Sequence, residues 1–247
     1  MTITIDLNCD LGEGCDNDVE LLDHITSANI ACGFHAGGPS VMAATVKAAA
    51  ARGVAIGAHP GLQDLEGFGR RELAVTPEEV YQLTVYQIGA LQAFTRAAGV
   101  PLHHVKPHGA LYNMAARDGA LADAIAHAVR DVDASLKLYA LSGSQMVRAG
   151  RDAGLTVVCE VFADRSYQDD GSLTPRSKPG AMITEADRAI AQVLRMVNEG
   201  RVRSQSGQDV AIEAGTVCLH GDQPDALEFA VRLRAALASA AVRLQAA

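Results

Sequence analysis

The fold turns on residues 5–14, Ile5-Asp6-Leu7-Asn8-Cys9-Asp10-Leu11-Gly12-Glu13-Gly14. A strand-like apolar run, expected over residues 2–8, passes directly into acids and a Gly-Glu-Gly loop. An open dinucleotide-binding sheet carries G-x-G-x-x-G after its first strand, and that spacing is absent here. Instead Asp6, Asn8 and Asp10 alternate with apolar neighbours. Residues two apart on a strand point the same way, so these three form one polar ladder directed into a barrel. Buried carboxylates are costly unless paired, coordinated or used. For Asp6 and Asn8 the plain alternative is that they satisfy neighbouring backbone groups.

The same organisation repeats along the chain. Further strands are expected at residues 28–32, 54–58, 102–106, 137–141, 156–161 and 216–220, with a short extra one at 181–184. These runs are apolar and bounded by glycine or polar residues, as in buried parallel strands. Between them lie helical patterns with start and stop signals. Pro39 opens a helix to Arg52, stopped by Gly53. Thr76-Pro77-Glu78-Glu79 supplies a cap, a first-turn proline and an acid three residues after the cap, opening a helix to about residue 98. Others are expected at 115–130, 144–153, 185–199 and 224–241. Strict β/α alternation implies parallel strands with right-handed crossovers. Polar residues follow nearly every strand, so a single seven-stranded TIM-like (β/α) barrel over residues 1–247 fits better than a doubly wound sheet.

Composition excludes several function classes. The chain has 247 residues, 49% hydrophobic, no tryptophan, and a net charge of −8 from 29 acids against 21 bases. Bulk electrostatics therefore disfavour binding to nucleic acid or an anionic membrane. No apolar run reaches the ~18 residues of a membrane span, and no secretory signal is visible at the N-terminus. The five cysteines (Cys9, Cys15, Cys32, Cys159, Cys218) are odd in number and form no CxxC pair. A cytoplasmic protein with reduced thiols is expected.

Candidate site residues fall at or just after strand ends, where barrel enzymes assemble their chemistry. They are Asp10, His35 in a triple-glycine loop, His59, Lys106 with His108 two residues on, Glu160, Asp164 and His220. Asn8, Glu13, Asn29, Arg70 and Arg165 are candidates for binding a small-molecule substrate. His103 reads as a solvated strand start, His24 and His127 as helix residues, and Asp222 as an N-cap. Convergent Asp and His side chains have two uses: general acid–base catalysis, or holding a divalent metal that activates water. Spacing does not decide between them, since no H-E-x-x-H helix is present. A serine elbow is absent, and apolar surroundings disfavour a cysteine nucleophile.

Six stretches resemble the LamB/YcsF family, the A subunits of prokaryotic 5-oxoprolinase. They are IDLNCDLGEG (5–14), ANIACGFHAGGP (28–39), GAHPGLQDLEGFGRRE (57–72), VKPHGALYN (105–113), EVFADRSYQDDGSLTPRSKPGAMI (160–183) and CLHGD (218–222). Two positions depart from the family pattern: Gly38, where an aspartate is usual, and Cys15, where an aromatic residue is common. The resemblance implies ATP-dependent hydrolysis of 5-oxo-L-proline to L-glutamate with partner subunits B and C. It also implies a barrel like that of the glycoside hydrolase/deacetylase superfamily. By analogy with metal-binding members there, Asp10, His59 and a second histidine such as His108 are metal candidates. It makes Asp10, His59, Lys106, His108, Glu160 and Asp164 the catalytic candidates. Arg70, Arg165, Lys106 or the His35 loop would hold the substrate carboxylate. The chain has no G-x-x-x-x-G-K-[ST] loop, so ATP, as co-substrate, is expected to be bound with partner subunits. Two alternatives remain: a metal-dependent amidohydrolase or deacetylase without ATP, and a non-catalytic ligand-binding subunit.

Overall fold

A computed structural model describes residues 3–221 and 225–247; the expected Asp222 cap lies outside them. In chain order the elements are β1 (Thr4–Leu11), α1 (Asp18–Leu21), β2 (Ser27–Ala31), α2 (Pro39–Ala51), β3 (Ala55–His59), α3 (Pro77–Ala97), β4 (His104–Val105), α4 (Gly109–Arg117) and α5 (Gly119–Val132). There follow β5 (Lys137–Leu141), α6 (Gln145–Asp152), β6 (Val157–Phe162), α7 (Ala186–Glu199), β7 (Arg201–Arg203), β8 (Asp209–Ala211), β9 (Thr216–His220), α8 (Ala226–Ser239) and β10 (Arg243–Leu244).

Strands β1-β2-β3-β4-β5-β6-β9 pair in parallel, and β9 returns to β1, closing a seven-stranded barrel. The outward strand faces are apolar and pack on the helices. Leu7, Cys9, Ile30, Ala58 and Val105 are buried there.

The inward face is polar, arranged in layers as barrel interiors are. At the N-terminal end, Asp6 accepts hydrogen bonds from Thr26, Ser27 and Thr216 hydroxyls. Ser27 Oγ also lies 3.3 Å from Tyr139 Oη. One layer higher, His104 stacks on Tyr139 with centroids 4.0 Å apart and meets Asn29 Oδ1 at 2.7 Å. Gly57 belongs to this layer because the His104 ring occupies the space a Cβ would need there. Asp6 is thus a fully bonded structural acid.

Local signals explain most boundaries. Thr76 and Glu79 form the expected capping box at α3, each bonding the other's backbone N–H; such caps stabilise by about 1 kcal/mol. The single helix expected at 115–130 is two. Asp118 interrupts it, its carboxylate accepting from Ala120 and Leu121 N–H as the cap of α5. The extra strand expected at 181–184 is instead the return leg of the loop after β6. It makes an isolated bridge, Arg165 to Met182, flanked by Ser166 N–H to the Ala181 carbonyl and Ile183 N–H to the Asp164 carbonyl. The β7–β8 hairpin and β10, which extends the sheet beside β1, lie outside the sequence expectations. Among the described residues no helix is long and apolar enough to cross a membrane.

Candidate active site

The strand ends open onto a cavity of about 670 Å³ whose lining includes Asp10, His59, Lys106, His108, Arg70 and His220. β1 is long enough to carry Asp10 above the filled layers, and β4 places Lys106 just past its end. Lys106, 2% exposed, points its ammonium at Asp10 Oδ1 (2.8 Å), Glu160 Oε1 (3.0 Å), Asn8 Oδ1 (3.2 Å) and Cys218 Sγ (3.0 Å). Burial alone would pull this lysine down, but the Asp10 and Glu160 carboxylates outweigh it and hold it well above its ordinary value. Asp10 is the counterpart. Burial pushes its carboxyl up, yet His59 and Lys106 keep it well below the usual range. Asn29 donates to both Asn8 and Asp10, and Tyr112 Oη donates to Glu160 Oε2 at 2.6 Å. Burial raises the Cys218 thiol well above its ordinary value despite the nearby ammonium, so it is a protonated neighbour rather than a nucleophile.

Beside this floor stand three imidazoles and an acid. His59 Nδ1 lies 2.6 Å from the Lys106 carbonyl and His108 Nε2 lies 2.9 Å from the Phe68 carbonyl. Carbonyls only accept, so both nitrogens carry a proton, and the remaining ring nitrogens, His59 Nε2 and His108 Nδ1, face each other across 2.9 Å. Asp10 Oδ2 is 3.3 Å from the first, and Glu13 Oε1 is 3.3 Å from the second and 3.7 Å from the first. His59 Nε2, His108 Nδ1 and Glu13 Oε1 meet with Asp10 Oδ2 beside the first, so a cation belongs among them: a shared proton or a metal.

The donor set fits a divalent metal. Nitrogen and carboxylate oxygen are the right ligands, and carbonyls fix the tautomers from behind, as supporting groups do at metal sites. Glu13, His35, His59 and His108 offer ligand atoms all within 4.8 Å of one another. His35 stacks flat on His108 at 3.7 Å and bonds Glu13 through Nε2 at 2.9 Å, leaving Nδ1 buried without a hydrogen-bond partner. Burial, reinforced by His59, lowers His35 to about 3; burial, His35 and His59 hold His108 well below its ordinary value. Gly61 and Gly69 let the chain approach His35 closely.

A second pair stands next to Asp10, where β9 pairs with β1 and sets His220 in register with it. Asp164 takes His220 Nδ1 at 2.8 and 3.0 Å, and His220 lines the cavity. Burial raises Asp164, but His220, with Arg176 and Arg165 nearby, outweighs this and leaves it lowered. Of the sequence candidates, Asp10, His59, Arg70, Lys106, His108, Arg165 and His220 line the cavity; Asn8, Glu13, Asn29, His35, Glu160 and Asp164 stand behind them. Arg70 lies over the Phe68 ring at 4.9 Å. Sequence reasoning missed Tyr112, Phe162 and the Ser142-Gly143-Ser144 loop as lining residues. The signal for Tyr112 was available: it sits one helical turn after His108, so α4 turns it back over the barrel mouth.

The LamB/YcsF family model matches residues 5–247. The chain belongs to the LamB/YcsF family. Among LamB/YcsF relatives, the A subunit of 5-oxoprolinase from Tolumonas auensis is 59% identical over 247 residues, covering 98% of each chain. Its counterpart from Geobacillus kaustophilus is 62% identical over 98% of this chain and 96% of its own. The crystal structure of a lactam utilization protein from Thermus thermophilus superposes with a TM-score of 0.92 at 49% identity, covering 99% of this chain and all of that one. A peptidoglycan N-acetylglucosamine deacetylase catalytic domain from Eubacterium rectale shares the fold alone, at TM-score 0.54 and 12% identity, over 99% of this chain and 88% of that one.

Proposed function

We propose that this chain is the lactam-opening subunit of an ATP-dependent 5-oxoprolinase, converting 5-oxo-L-proline to L-glutamate with partner subunits B and C in the cytoplasm. The observation that carries the reading is the Lys106–Asp10–His59 array on the floor of the cavity. Relatives named as the A subunit of 5-oxoprolinase, matching nearly end to end, support it.

The lactam is an unstrained amide, so opening it needs an activated carbonyl, a water stripped of its proton, a stabilised oxyanion and a proton for the departing nitrogen. Asp10 Oδ2 and His59 Nε2, 3.3 Å apart, take the proton from water. The Lys106 ammonium, fixed by Asp10 and Glu160, stabilises the developing negative charge. His220, oriented by Asp164 through Nδ1, delivers the proton to nitrogen through its other ring nitrogen. Phosphorylation of the lactam oxygen supplies the activation. Water then adds at the ring carbon, nitrogen leaves to give an acyl phosphate, and a second water releases phosphate. Since this chain lacks a phosphate-binding P-loop, a partner subunit brings the nucleotide. A divalent metal held by Glu13, His59 and His108, with Asp10 beside His59, would supply Lewis-acid polarisation and a more acidic water.

Glutamate release from 5-oxo-L-proline and ATP, measured on this chain with and without its partners, tests the reading. Only the full set should turn over. No product from the complex would sink the reading, and ATP-coupled turnover by the lone chain would sink the division of labour. The His59–His108–Glu13 cluster favours one second reading, metal-dependent amide hydrolysis. It predicts chelator-sensitive turnover that needs no nucleotide.

A further inference from the structure

Resting on that reading, we infer that the loops after β5 and β6 form an oxyanion subsite that takes the phosphoryl group of the activated substrate. β5 and β6 are adjacent in the barrel, so their C-terminal loops share one wall of the cavity. Arg165 lines that wall while only 4% exposed. One terminal nitrogen donates to the Thr174 carbonyl at 2.6 Å, but Nε is buried with no hydrogen-bond partner among the described residues. A buried guanidinium ordinarily sits against a carboxylate. The acid beside it, Asp164, already receives His220 Nδ1 on both oxygens. Arg176 lines the same wall and adds a second positive charge. Burial and this second arginine lower Arg165 to about 10. The pair therefore repel in the absence of an anion.

The other half of the wall is Ser142-Gly143-Ser144, which leads into the N-terminus of α6. Ser144 sits at the cap position but makes no side-chain cap bond, and its Oγ is buried without a partner. A helix N-terminus favours negative charge and presents N–H groups to it. Among the described residues, the acids lining the cavity are engaged elsewhere: Glu72 with Arg117, Asp170 with Ser172, Asp10 with Lys106. Two guanidiniums, a helix N-terminus and a hydroxyl suit a three-oxygen dianion better than a single carboxylate. The general acid His220 lies beside this wall through its bond to Asp164, so a phosphoryl group seated there holds the reacting carbon near the Lys106 floor.

The test titrates inorganic phosphate and, separately, 5-oxo-L-proline into the full chain by calorimetry. Arg176→Gln alters an exposed residue; Arg165→Gln is paired with it in case loss of the Thr174 bond disturbs folding. Each variant should weaken phosphate binding about tenfold or more while moving 5-oxo-L-proline binding by less than about twofold. Unchanged phosphate affinity in Arg176→Gln, or no phosphate binding to the wild type, overturns the subsite. So does loss of 5-oxo-L-proline binding with phosphate spared, which would assign the wall to the substrate carboxylate. Glutamate release by the wild-type complex from the same preparation separates the two claims. Phosphate binding that tracks the arginines without glutamate release leaves the oxyanion site standing and removes the proposed activity.

Discussion

His59 Nε2 and His108 Nδ1 lie 2.9 Å apart, and each ring has its other nitrogen committed to a backbone carbonyl. Two ring nitrogens held in contact this way demand a cation between them. The chain should bind about one divalent cation, seen by metal analysis and by the visible absorption of a Co(II)-loaded sample. Saturating metal at a hundredfold excess over Kd should add about 2.7 kcal/mol to the unfolding free energy. His59→Ala and His108→Ala should each abolish both signals. A wild-type chain that remains metal-free under excess Co(II) would leave a shared proton as the cation.

Lys106 holds two buried carboxylates apart. Lys106→Met should cost about 3–5 kcal/mol of stability, because Asp10 and Glu160 are left buried without their cation. It should also lower kcat of the assembled complex by about a hundredfold or more, with a smaller change in KM. Denaturant unfolding and steady-state glutamate release measure the two effects. A variant as stable and as active as the wild type would remove Lys106 from the chemistry.

Tyr112 donates to Glu160 from α4. Tyr112→Phe keeps the ring and removes the hydroxyl, stranding one carboxylate oxygen at a cost of about 1–3 kcal/mol. Thermal unfolding reads this directly. The same melt in Lys106→Met with Tyr112→Phe should show coupling, since both side chains satisfy one acid.

Gly57 faces the His104 ring inside the barrel. Gly57→Ala should destabilise by about 1–3 kcal/mol, since the stacked His104–Tyr139 layer has nowhere to move. Chemical denaturation with an unchanged m-value is the expected signature. An unaffected midpoint would show that the layer is looser than its packing.

Asp164 has a lowered pKa in the folded chain, with His220 the chief compensation for its burial. A depressed carboxylate contributes stability that is present above its unfolded value, about 4, and is lost as pH falls through the folded value. Asp164→Asn should therefore lose stability at neutral pH and show a shallower decline below about pH 4. Parallel acid-unfolding curves for wild type and variant would contradict that linkage.

The barrel was legible because its signals were local and repeated: a polar ladder on β1, glycine stops, a capping box at Thr76. The split between α4 and α5 was not, because Asp118 reads as an ordinary helix-surface residue until its carboxylate is seen on Ala120 and Leu121 N–H. β10 and the β7–β8 hairpin are too short to leave a periodic trace. At the site, strand-end residues such as Asp10, His59 and Lys106 declared themselves by position. Glu13 was a candidate for substrate, but its place against the imidazoles depends on where β2 and β3 set His35 and His59. Tyr112 and Phe162 carry no polar signature at the strand ends, and both are buried as core aromatics are.

The filled lower layers, Asp6 with its three hydroxyls and His104 stacked on Tyr139, make the barrel a vessel with one opening. Whatever enters must leave by the same mouth. A protein docked over that mouth would govern both admission and discharge, and product release from such a complex would then depend on how often it lifted.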